Sequence, residues 1–130
     1  MSCARETGFP MISANDVLQA ISEIHQYSML LIELKNSTTV VIRHSANGTM
    51  NYFKLEGGLK SSERHGLAKK TPKDDRFANF RHITIEELMS EVDGQTAKHI
   101  WLEAMGVDRR EHAFLSITEL KAFLRTNPQR

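Results

Sequence analysis

The chain has 130 residues, a formal net charge of +1, 25% charged residues and 40% hydrophobic residues. That size and balance fit one globular domain with a core of its own and exclude wholesale disorder. The single cysteine, Cys3, excludes a disulfide framework and a multi-cysteine zinc site, and fits a reducing, cytoplasmic compartment.

One domain is expected over 1–130, with residues 1–12 frayed at the start and 127–130 a tail behind Pro128. The N-terminus carries Glu6 and lacks an apolar h-region, and no apolar run approaches membrane-spanning length, so neither export nor membrane contact is expected. The first helix is predicted from Asn15 to Gln26, because Val17, Leu18, Ile21 and Ile24 recur on one helical face. Ser13 with Asp16 three residues on, or Asn15 itself, offers the N-cap oxygen.

The period then changes. Met29 to Leu34 is a nearly continuous apolar run, Thr38 to Ile42 is β-branched throughout, and Met50 to Leu55 alternates. The connectors Lys35-Asn36-Ser37 and Ser45-Ala46-Asn47-Gly48 are short, so a three-stranded antiparallel meander follows, with the first strand the most buried and the helix on one side. A polar run from Glu56 to Asn79 comes next and reads as a long basic loop.

Beyond it, Asn79 to Thr84 fits a short strand. Thr84 with Glu87 forms a capping box that opens a helix to Val92. Gln95 to Met105 is predicted as a second helix, since Ala97, Ile100, Trp101, Ala104 and Met105 fall on one side before Gly106. His112 to Leu115 fits a short extended piece, and Ser116 with Glu119 opens a last helix with Ile117, Leu120, Phe123 and Leu124 inward. The fold class is therefore α+β: an N-terminal helix on a three-stranded meander, a long basic loop, then two to three C-terminal helices. One core is expected to hold Val17, Ile21, Leu30, Ile32, Val41, Phe53, Leu88, Ile100, Trp101, Leu120 and Phe123.

The small net charge hides an uneven distribution: residues 59–83 carry +4 and residues 84–105 carry −4. The basic loop either pairs with the acidic helix at Glu86, Glu87 and Glu91 or presents an anion-binding patch. Its candidate binding residues are Lys60, Arg64, His65, Lys69, Lys70, Lys73, Arg76, Arg81 and His82. Tyr52, Phe53, Phe77 and Phe80 add aromatic faces that could stack on bases.

Catalytic motifs are sparse. The six histidines lie 13 to 21 residues apart, without the i, i+4 or short-loop spacing of a metal site, although Arg43-His44, Arg64-His65 and Arg81-His82 place cations beside three of them, as general acid–base chemistry could use. Glu33-Leu34-Lys35 has the Glu-x-Lys form of metal-dependent nucleases but lacks a carboxylate on a preceding strand, and reads better as a strand-end ion pair. Gly57-Gly58-Leu59-Lys60-Ser61-Ser62 lacks the phosphate-loop spacing. No cofactor or metal is expected. The stretch His65-Gly-Leu-Ala-Lys-Lys-Thr-Pro-Lys73 resembles the basic segment near the end of RelE-like messenger-RNA-cleaving toxins, over about nine residues and without the helical order of that family. The opening helix and three strands are also similar to a double-stranded-RNA-binding topology, with the loop in place of the helix that should follow.

Function is therefore expected in a non-enzymatic binding or regulatory protein of adaptor, inhibitor, immunity or chaperone type, with a protein partner and the basic loop as contact surface. An RNA- or DNA-binding protein, or a small metal-independent ribonuclease using the loop His, Arg and Lys residues, is the alternative. A groove formed by Trp101, Met105, Leu120, Phe123 and Phe114 is a second candidate surface. The oligomeric state is not legible.

Overall fold

The computed structural model describes residues 11–25, 28–45, 47–56, 80–104 and 111–126. The elements in chain order are α1 (Ala14–Ile21), β1 (Ser28–Leu34), β2 (Thr38–His44), β3 (Met50–Glu56), β4 (Arg81–Ile83), α2 (Ile85–Val92), β5 (Ala97–Ala104), β6 (Glu111–Phe114) and α3 (Ile117–Thr126). Among the described residues the fold is α+β, with three helices and a six-stranded sheet in the order β4-β3-β2-β1-β5-β6, antiparallel at every pairing. The expected meander forms its centre. It is extended by β4 at one edge and by β5 and β6 at the other, so the sheet has six strands and not three.

Both meander connections work as the sequence implies. Ser37 takes a φ of 72° after the Asn36 side chain accepts from the Thr38 amide at 3.0 Å. Gly48, at φ 85°, closes the second turn by donating its amide N–H to the Ser45 carbonyl at 3.0 Å. Strand β1, between β2 and β5, is buried along its entire length.

The helix predicted from Gln95 to Met105 is strand β5. The reason lies in its register with β1: Glu33 pairs with His99, but the next residue, Leu34, pairs with Ala97. One extra β5 residue opposes a single β1 step, which is a bulge. It brings Ala97 and Ile100, three apart, to the same core, and that spacing imitates a helical face. Beyond the bulge the strand alternates, with Ile100 and Leu102 on one face and Trp101 on the other.

The expected single core is consequently two. The helix-covered face carries Val17, Ile21, Leu30, Ile32, Leu88, Ile100 and Leu120, all buried, with Phe123 partly buried against them. Val41, Phe53 and Trp101 lie on the opposite face, where Met29, Leu31 and Val41 are fully buried and Phe53, Phe80 and Trp101 pack around them. Each fully buried aliphatic side chain contributes about 1.5–3 kcal/mol. The proposed groove joining Trp101 to Leu120, Phe123 and Phe114 therefore does not form, because the sheet stands between them; Met105 lies outside the described residues.

Helix ends follow the capping signals in two cases of three. The Thr84 hydroxyl accepts from the Glu87 amide and the Ser116 hydroxyl from the Glu119 amide, each at 3.1 Å. Helix α1 differs: it is shorter than predicted, and Ser13 makes no side-chain cap bond. The Ala14 amide instead donates to Asp93 Oδ1, beyond the end of α2, at 2.9 Å. The next residue, Gly94, has a φ of +76° and donates its amide to the Ile12 carbonyl at 2.8 Å. Gly94→Ala forces a side chain into the left-handed region and should cost about 1–2 kcal/mol, read as a lower urea midpoint at unchanged slope.

Candidate binding surface

The described part of the candidate site is the β3–β4 edge of the sheet and the helix α2 beside it. Residues on this edge alternate between the two faces. Lys54 pairs with Arg81 in the β3–β4 ladder and Phe53 with His82, so Arg81 and Lys54 face the helices while His82 and Phe53 face away. The adjacent residues Arg81 and His82, grouped in one basic surface by sequence, are thus separated by the sheet. The other candidate residues, Lys60, Arg64, His65, Lys69, Lys70, Lys73 and Arg76, lie outside the described residues.

On the helix side the cations are matched to the acidic ridge of α2. Lys54 Nζ is 2.6 Å from Glu91 Oε2 and 3.2 Å from Glu56 Oε2, with only 13% of its side chain exposed. Its hydrogen bond to Glu91, above all, raises the ammonium pKa against the opposing effect of burial. Arg81 Nη2 donates to Glu87 Oε2 at 2.8 Å, a bond that likewise raises its pKa. Burial, with help from Glu86, pushes the Tyr52 phenol upward. Lys54, Leu55, Glu56 and Arg81 line an open depression of about 450 Å³ where the chain leaves β3.

The opposite face ends in a polar corner. Asn51 sits across the β2–β3 pairing from Arg43. Its Oδ1 is 3.3 Å from His82 Nε2 and its Nδ2 donates to Ser45 Oγ at 3.4 Å. The His82 ring meets Phe53 edge-on at 5.0 Å. Burial lowers the Arg43 pKa.

The remaining described histidines with assigned contacts are dispersed. His44 Nδ1 donates to the Ile24 carbonyl at 3.1 Å, and the His112 ring packs tilted against Phe123 with centroids 4.5 Å apart. His99 Nδ1 donates to Glu33 Oε1 at 3.0 Å, and the Glu33 side chain is only 5% exposed. His82 and His99 share a face, but β3, β2 and β1 lie between their strands. At about 4.8 Å per strand they stand roughly 19 Å apart. A helix over Gln95 to Met105 gives no reason to bring His99 to β1, so the sequence does not reveal this contact; Glu33, expected in a strand-end ion pair, is hydrogen-bonded to His99 across β1 and β5.

Among the described residues no group of three or more His, Cys, Asp or Glu side chains is arranged to hold a metal ion, and no helix is long and apolar enough to cross a membrane. Comparison with protein-family models, curated proteins and solved structures finds no match.

Proposed function

We propose that this chain is a non-enzymatic binding protein of regulatory type, and that the basic residues between β3 and β4 engage an acidic surface on a protein partner. The observation that carries this reading is the pairing of the α2 acids from the sheet side. Glu87 is held by Arg81 and Glu91 by Lys54, which leaves Glu86 as the one acid of that trio without a strand cation among the described contacts. Residues 57–79 contain six lysines and arginines against three acids. That surplus exceeds what α2 has left to neutralise, so charge complementarity favours an external acidic partner over self-pairing.

Two measurements test the proposal. Affinity purification from the native cell should recover a stoichiometric protein partner. Replacing Lys69, Lys70, Lys73 and Arg76 together by serine should weaken that complex at unchanged thermal stability. Recovery of nucleic acid alone would support the alternative partner; the same variant would then flatten the log–log salt dependence of binding by roughly 3–4 units, as four phosphate contacts require. An unchanged complex with an unchanged salt slope would remove the basic segment as the contact surface.

A further inference from the structure

The two edges of the sheet differ in how they are protected. Backbone N–H and C=O groups at a sheet edge lack a ladder partner, and native edges are usually kept short, charged or interrupted by proline. At β4 the edge is three residues long, Arg81 is held by Glu87, and Thr84 turns the chain at once into α2. At the other end stands β6, which among the described residues has a strand partner on one side only. Past Glu111, its run His112-Ala113-Phe114-Leu115 contains no lysine, arginine, acid or proline. Ala113 and Leu115 are exposed, Leu115 by 64%. We infer that the β6 edge is a self-association surface, on which β6 of a second copy of this chain pairs antiparallel across a twofold axis.

A second copy is selected because the strand complements itself. The Leu115 amide is already taken by Glu119 Oε1 at 3.1 Å, so the uncharged part of the open ladder is 112–114, with Ala113 at its middle. With Ala113 on the axis, it meets the partner's Ala113, and His112 stands opposite the partner's Phe114. Residues directly opposite in an antiparallel pair share a face. His112 and Phe114 lie on the helix-covered face, where both pack against Phe123 of α3, with centroids 4.5 Å and 5.4 Å away. This register therefore joins the two ring clusters on one side of a continuous sheet, and no charge in 112–114 faces a like charge. The cations of α3 do not oppose it, since Lys121 is held by Asp16 and Arg125 by Glu23, both near or on α1. On the other face Ala113, across from Trp101, is small enough for two strands to close up at the axis. A contact this short falls in the weak class of interfaces, below about 1,200 Å², so the dimer is reversible. It leaves the β3–β4 edge, at the far end of the sheet, open to the partner proposed above.

The test is the oligomeric state of the full-length chain. Light scattering on concentrations from about 10 μM to 1 mM, the range of a weak interface, should show the mass rising from one chain toward two. Ala113→Asp sets two carboxylates against each other at the axis and should raise the half-dimerisation concentration about tenfold or more, with backbone spectra that retain the fold. The register is read by cross-linking in a Cys3→Ser background. Ala113→Cys faces its own copy at about 4.5–5.5 Å between Cα atoms, within disulfide range. Oxidised glutathione, reduced as the two thiols join, should link it into a covalent dimer on a non-reducing gel. Leu115→Cys, opposite position 111 of the second copy, should link far less. A constant one-chain mass over the full range would overturn the inference. So would an Ala113→Asp variant that dimerises like the wild type, or equal cross-linking at positions 113 and 115.

Discussion

Ile100→Ala should lower the unfolding free energy by about 2–5 kcal/mol, the largest loss expected from any single change considered for this protein. Ile100 is 2% exposed and lies on β5 opposite Ile32 of β1 and Phe114 of β6, within the cluster that the three helices cover. Truncation removes three methyl or methylene groups from a site that neighbours on both adjacent strands hold rigid, so little collapse into the cavity is possible. Trp101→Ala, one residue further on, should cost less. Its ring is only partly buried and belongs to the smaller cluster on the other face. A helix from Gln95 to Met105 would have placed both residues on one buried face and made the tryptophan the costlier loss. Urea titrations of the two variants, compared at equal slope, decide between these orders.

The second large effect is expected at Glu33. His99→Ala should destabilise the protein by about 1–3 kcal/mol, because the Glu33 carboxylate is almost fully buried and loses one of its partners, the ring N–H 3.0 Å away. Glu33→Gln should cost less than His99→Ala: the amide keeps an oxygen to accept from His99 and carries no charge to desolvate. The double variant His99→Ala, Glu33→Gln should be less destabilised than the sum of the singles, since the two residues act on one interaction. Strict additivity in that cycle would show that the pair contributes nothing as a pair. The position also matters for the fold. Glu33 and His99 are the last regular partners before the β5 bulge, so loosening them should raise amide exchange at Ala97 to His99 ahead of the rest of the strand.

The sequence by itself determined the local features whose causes are local. Thr84 with Glu87 and Ser116 with Glu119 announce helix starts because a side-chain oxygen three residues before an amide can cap it wherever the helix packs. The three central strands were legible from their β-branched and apolar runs, and the tight turns between them from Asn36, Asn47 and Gly48. The charge contrast between the basic segment and α2 was legible too, since it needs only counting.

Only the tertiary structure decided the rest. Residues Ala97 to Ala104 fit a helix and a bulged strand equally well as a pattern, and pairing with β1 on one side and β6 on the other makes them a strand. The cap of α1 comes from Asp93, 79 positions away, which no window around Ser13 contains. Arg81 and His82 are neighbours in sequence and on opposite faces in space, because β4 joins the sheet edge and a strand alternates its side chains. Likewise, the acids of α2 could be matched to their cations only once β3 and β4 lay beside the helix. Composition places opposite charges in one chain; folding selects which of them come within hydrogen-bonding distance.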